Sequence, residues 1–192
     1  VQLTLNPDGP KEARTELLER LKVVSDKAIE ESVPLMIEVD SVPTATQIQM
    51  YGDASDARSM LLLMSIQQLQ DAGVHPAIWA FEPENDPTFV ETIAAQAQLD
   101  DRDVSVLLVV AGELSTGVVG NSIIESERST VEMAARTPGV AGVLIGPGAY
   151  FRHLVQYNEG IIERSEAVEV IAAHLGDIDG IFEKSHSATE VR

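Results

Sequence analysis

Apolar and polar positions alternate with two different periods along this chain. Val1–Asn6 runs apolar/polar with period two, which predicts a strand, and the turn-forming Asn6-Pro7-Asp8-Gly9-Pro10 stops it. Over Lys11–Glu31 the apolar positions Leu17, Leu18, Leu21, Val24 and Ile29 form a helical stripe. Pro34–Val39 reads as a short apolar strand, followed by a long connection over 40–56 of the kind that often carries function. A helix over Ser59–Ala72 is expected to stop at Gly73, and a strand over Ala77–Phe81 to close at Glu82-Pro83. A helix opened by Pro87 extends to about Leu99. Val104–Ala111 is a continuous apolar run that predicts a buried strand. A helix over Asn121–Ala135, a strand over Val140–Ile145 and a short helix over Tyr150–Tyr157 follow. A final helix over Glu163–Glu183 is expected to break near Gly176.

Five β/α units of this kind predict an α/β protein with a parallel sheet covered on both faces. Two architectures fit: an open doubly wound sheet, or about five units of an eight-stranded (β/α)8 barrel of TIM type. In both, ligands bind at the carboxyl ends of the strands. The chain opens inside a strand with no initiator methionine. The expectation is therefore a single domain over 1–192 that is N-terminally incomplete, its remaining strands supplied by upstream chain or by a partner subunit.

Charge narrows the partners. With 31 acidic and 13 basic residues the formal net charge is -18, which repels nucleic-acid backbones and anionic membranes. A phosphorylated small molecule stays possible, because backbone N–H groups can make a pocket locally positive. There is no cysteine, so disulfides, thiolate metal sites and a cysteine nucleophile are excluded. With no basic leader segment and no long apolar run, the expected location is the cytoplasm. His75, His153, His174 and His186 lack metal-ligand spacing, and no serine has a His–Asp arrangement. No metal or cofactor is expected.

The strand ends hold the candidate chemistry. Glu38 stands in the otherwise apolar Leu35-Met36-Ile37-Glu38-Val39. Such a carboxylate is either a general acid/base or a group held by a neighbouring partner. Glu82 is a second acidic candidate or a solvated loop residue. Gln2 lies on the first strand, and Trp79, the only tryptophan, either packs in the core or lines a ligand site. Gly112, Gly146 and Gly148 follow strands, where their N–H groups could cradle phosphate or simply shape the turns.

Five segments carry a family resemblance: Pro34-Leu-Met-Ile-Glu-Val-Asp40, Ser65-Ile-Gln-Gln-Leu-Gln-Asp-Ala-Gly73, Pro76-Ala-Ile-Trp-Ala-Phe-Glu82, Gly139-Val-Ala-Gly-Val-Leu-Ile-Gly146 and Tyr157-Asn-Glu-Gly-Ile-Ile-Glu-Arg-Ser-Glu-Ala-Val168. In this order they resemble the class I sugar-phosphate aldolase-like domain fused C-terminally to some 5-dehydro-2-deoxygluconokinases. That domain is similar to 2-deoxy-5-keto-gluconate-6-phosphate aldolase and tagatose-1,6-bisphosphate aldolase. The resemblance implies a TIM-type barrel of carbohydrate catabolism, a sugar-phosphate ligand, and assembly as a homo-oligomer or beside a kinase domain. It places the family's proton-transfer glutamate on Glu38, a further family lysine on or near Gln2, and the Schiff-base lysine on Ala80. The family's phosphate-holding glycine–arginine pair falls on Gly146-Pro147.

Alanine has no amine for an iminium, and the lost arginine removes a bidentate phosphate contact. The resulting expectation is an aldolase-like sugar-phosphate-binding domain without Schiff-base activity, a pseudoenzyme. The alternatives are a divergent lyase or isomerase working through Glu38, and a structural or regulatory module of a sugar kinase.

Overall fold

The computed structural model describes residues 1–84, 86–110 and 125–190. It contains β1 (Gln2–Thr4), α1 (Lys11–Glu30), β2 (Met36–Asp40), α2 (Ala45–Tyr51), α3 (Ala54–Asp71), β3 (Ile78–Phe81), α4 (Pro87–Ala97), β4 (Ser105–Val110), α5 (Glu125–Arg136), β5 (Gly142–Ile145), α6 (Phe151–Asn158) and α7 (Arg164–Glu190). Single turns of 3-10 helix occur at Leu99–Asp101 and Pro147–Ala149. The strands form one parallel sheet in the order β1-β2-β3-β4-β5. A doubly wound sheet reverses its order at a switch point; this sheet follows the chain without reversal. By Cα packing the chain divides into two compact units, residues 1–107 with 138–140, and residues 108–137 with 141–192.

At β1 and β2 of the first unit the sheet is not sealed on both faces as expected, whereas at β3 both Trp79 and Ala80 are buried. Along β1 and β2 buried and accessible residues alternate. Leu3, Ile37 and Val39 are buried, while Gln2, Thr4, Glu38 and Asp40 lie on the more accessible face. Strands covered on both sides read as unbroken apolar runs, so this alternation marks a sheet packed by its own helices on one side. Leu61, Leu62, Ile66 and Leu69 of α3 supply much of the buried layer. Expected and observed helix ends agree at Gly73. Its φ of +78° lets Gly73 N–H bond to Gln70 and Val74 N–H bond to Leu69, which closes α3 in a Schellman turn.

The connection after β2 departs from expectation, because it contains a helix. Thr44 caps α2: its Oγ1 accepts from Gln47 N–H at 3.3 Å, and Gln47 Oε1 accepts from Thr44 N–H at 2.9 Å. This reciprocal box satisfies two N–H groups that the helix itself cannot. Thr44→Ala is expected to cost about 1 kcal/mol, read as a lower urea midpoint.

In the second unit Val110, Val131 and Ile178 form a small core, with Val143, Ile145, Ile181 and Phe182 packed against it. The ring of His186 stacks on Phe182 at 6.0 Å. The expected break at Gly176 is absent, and α7 runs through it. Among the described residues no helix is long and apolar enough to cross a membrane.

Candidate functional site along β1, β2 and β3

Parallel pairing aligns three of the singled-out positions. Gln2 is opposite Glu38, and Glu38 is opposite Ala80, so the three form one row across neighbouring strands. Residues paired in this way share a sheet face. Gln2 Nε2 donates to Glu38 Oε1 at 3.0 Å. Glu38 therefore has a neighbouring hydrogen-bond partner, as one of its two readings requires. That partner is a neutral amide, and no cation pairs with Glu38 among the described residues. Ala80 closes the row and is 1% exposed. The four lysines lie on helices, Lys11, Lys22 and Lys27 on α1 and Lys184 on α7.

Trp79 is not part of this row. It is opposite Ile37, and both are buried on the other face of the sheet. Of its two readings, core packing is the one observed, and strand alternation puts Trp79 on the face away from Glu38, because neighbours along a strand face opposite ways.

Just beyond the row, three acidic residues converge on one arginine that sequence reasoning did not single out. Asp53 caps α3 by accepting from Asp56 N–H, and Arg58 follows in the second turn. The guanidinium Nε and Nη2 donate to Asp40 Oδ1 at 3.1 and 2.9 Å. Nη1 donates to the Glu82 carbonyl at 3.1 Å and to Glu84 Oε1 at 3.0 Å. The Glu82 carboxylate lies 3.8 Å from Nη2, and Ser55 Oγ donates to Glu84 Oε2 at 3.1 Å. Glu82 is thus one arm of an ion cluster rather than a purely solvated loop residue. Burial disfavours the Arg58 charge, but hydrogen bonds and the fields of Asp40 and Glu84 outweigh it and raise the pKa above the ordinary arginine value. The stabilisation tied to its protonation is therefore fully present at neutral pH and is lost only as pH rises through that raised value.

A second network ties the loops after β1 and β2. Asn6 Nδ2 donates to Gln47 Oε1 at 2.9 Å and to the Val42 carbonyl at 3.1 Å. Gln47 Nε2 donates to Asn6 Oδ1 and Asp8 Oδ2, both at 3.0 Å. Gln47 is buried, and its amide is consumed in holding the two loops.

In the second unit, Gly146 N–H donates to the Val110 carbonyl at 2.8 Å. That amide is spent within the sheet, so it does not offer the phosphate contact expected of it. Gly148 lies in the 3-10 turn after Pro147. Gly112 lies outside the described residues.

Chemically, the row presents the Gln2 amide and one carboxylate, Glu38, which has no cationic partner among the described residues. The remaining acids are organised around Arg58. A guanidinium at the centre of Asp40 and Glu84 makes these groups an ion cluster rather than a metal cage, and among the described residues no three His, Asp or Glu side chains are grouped to hold a metal. No protein-family model matches the sequence, and no curated protein matches it either.

Proposed function

We propose that this chain is an aldolase-like domain of (β/α)8-barrel type that binds a sugar phosphate in the cytoplasm and forms no iminium with it. The observation that carries the reading is the row Gln2–Glu38–Ala80. The resemblance assigns these positions to strands that are consecutive in the family, and the pairing register sets them side by side on one face. A lysine at Ala80 would stand next to Glu38, where an amine and a proton-transfer carboxylate could share a substrate. With alanine there, hydroxyl recognition through Gln2 and Glu38 remains, and covalent capture does not. The phosphate part of the proposal rests on the resemblance.

A second reading is favoured by Glu38 having no cationic partner among the described residues. A carboxylate not neutralised by an ion pair can take a proton from a carbon next to a carbonyl, as in isomerisation or lyase chemistry. One experiment separates the two. Dihydroxyacetone phosphate is added to the protein in D2O and followed by NMR, with borohydride trapping in parallel. Expected are saturable binding, no covalent adduct, and no loss of the ligand's carbon-bound protons. Proton exchange that disappears in Glu38→Gln would establish the second reading. A stable borohydride adduct, or no binding at all, would overturn the first.

A further inference from the structure

Exposed aromatic side chains are gathered in one place. Of all the Phe, Tyr and Trp residues only Phe151 and Tyr157 are exposed, and both lie on α6 of the second unit. Leu154, exposed as well, stands midway between them. Spaced three apart on a helix, Phe151, Leu154 and Tyr157 share one face as a stripe. The half-buried positions of α6 are His153, Val155 and Gln156, so the helix leans on its own unit by other positions and leaves the stripe to solvent.

The surroundings of the stripe differ from the rest of the chain. Residues 133–158 contain no aspartate or glutamate, the longest such run in a protein with 31 acidic residues. α6 itself carries Arg152 and His153 and no acid. Aromatic residues and arginine are enriched, and acids depleted, in the cores of protein interfaces.

Two features select a second copy of this chain as the occupant. The first is charge. At a net charge of -18, two copies repel each other over most of their surface. The acid-free segment is where they can approach without setting carboxylate against carboxylate. The second is symmetry. The stripe reads aromatic–leucine–aromatic in both directions, and a two-fold axis requires a patch that complements itself. Antiparallel α6 helices crossing at Leu154 would set Leu154 on Leu154, and Phe151 against Tyr157 on both sides of the axis. Arg152 is then brought toward Gln156 and not toward a second arginine. At 45%, 47% and 45% exposure the three side chains offer roughly 250 Å² per copy, against about 800 Å² per partner in a standard stable interface. An area this small makes a weak, concentration-dependent contact.

We propose that the α6 stripe is the two-fold contact of a reversible homodimer. It uses none of the groups in the Gln2–Glu38–Ala80 row, so it is independent of the proposed sugar-phosphate function.

Because the chain has no cysteine, single-cysteine variants report the contact directly. Under mild oxidation Leu154→Cys should give a disulfide-linked dimer, since the two positions meet on the axis. Val23→Cys on α1, at 67% exposure the more accessible position, should not. Phe151→Cys mixed with Tyr157→Cys should cross-link faster than either variant alone. Sedimentation velocity of the unmodified protein should show monomer passing to dimer as concentration rises. Added salt should favour the dimer, because screening relieves the repulsion between acidic copies. Leu154→Glu, checked for folding by circular dichroism, should remain monomeric throughout. Monomer alone at the highest concentration would overturn the proposal and leave the stripe to a different partner. So would a dimer that survives Leu154→Glu, or equal cross-linking of the Leu154→Cys and Val23→Cys variants. If Leu154→Glu does not fold, the cysteine variants still decide.

Discussion

Replacing Phe81 by alanine is expected to destabilise the first unit by about 4 kcal/mol. Phe81 ends β3 and is 0% exposed, so truncation removes a whole buried ring and leaves a void that close-packed neighbours fill only in part. At this chain length that corresponds to a fall in Tm of about 10 °C. Trp79 lies two residues away on the same face, and its emission reports unfolding of the first unit. The measurement is a urea titration followed by tryptophan fluorescence, with far-UV circular dichroism following both units. Phe81→Leu should cost much less, because most of the volume is kept. If Phe81→Ala shifted the midpoint by less than about 1 kcal/mol, the packing described for β3 would be wrong. The consequence extends to the site: Glu82 and Glu84 follow directly, so a loosened Phe81 loosens two acids that face Arg58.

Arg58→Met is expected to cost about 2–3 kcal/mol, between the small value of a surface ion pair and that of a broken buried one. The arginine side chain is 17% exposed, whereas Asp40 and Glu82 are 40% and 52% exposed, so solvent takes up part of the loss. The larger part comes from the groups left behind. Without the guanidinium, the Asp40, Glu82 and Glu84 carboxylates repel one another, and the Glu82 carbonyl loses its donor. The deficit should therefore shrink as salt rises, since screening weakens both the lost attraction and the new repulsion. Arg58→Lys should recover only part of it, because an ammonium cannot reproduce the fork that reaches Asp40 and Glu84 at once. A cost near zero, unchanged by salt, would falsify the cluster's role in holding the carboxyl ends together.

Much of the fold was legible in the sequence, because turn residues bound the strands; of the apolar stripe along α1, Leu21 is buried but Val24 and Ile29 are exposed. The exceptions have physical causes. α2 is mostly polar and lacks a stripe, yet its Thr44-x-x-Gln47 start is a recognisable capping signature. Gly176 weakens a helix only by about 1 kcal/mol, and burial of Ala167, Ile178 and Ser185 along α7 offsets it. The strand carboxylate Glu38 stood out because its neighbours are apolar. Arg58 did not, because its partners are far away in sequence and nothing local in an amphipathic helix marks which cation turns inward. Trp79 carried two readings, core or ligand site, and the alternation that sets Glu38 and Ala80 on one face puts Trp79 on the other, in the core.

The helix α3 deserves to be seen as a single rod. Arg58 in its second turn holds the ion cluster, and Gln70 near its end lines a cavity of about 310 Å³ at the amino ends of β3 and β4. At 1.5 Å per residue the two side chains are carried about 18 Å apart on one continuous hydrogen-bonded shaft. Its middle is wedged by Leu61, Leu62 and Ile66, all essentially inaccessible to solvent. Such a shaft slides or tilts as a whole more readily than it stretches, so the spacing between the cluster and the cavity works as a built-in ruler. A displacement of the arginine along the axis would arrive at the glutamine undiminished.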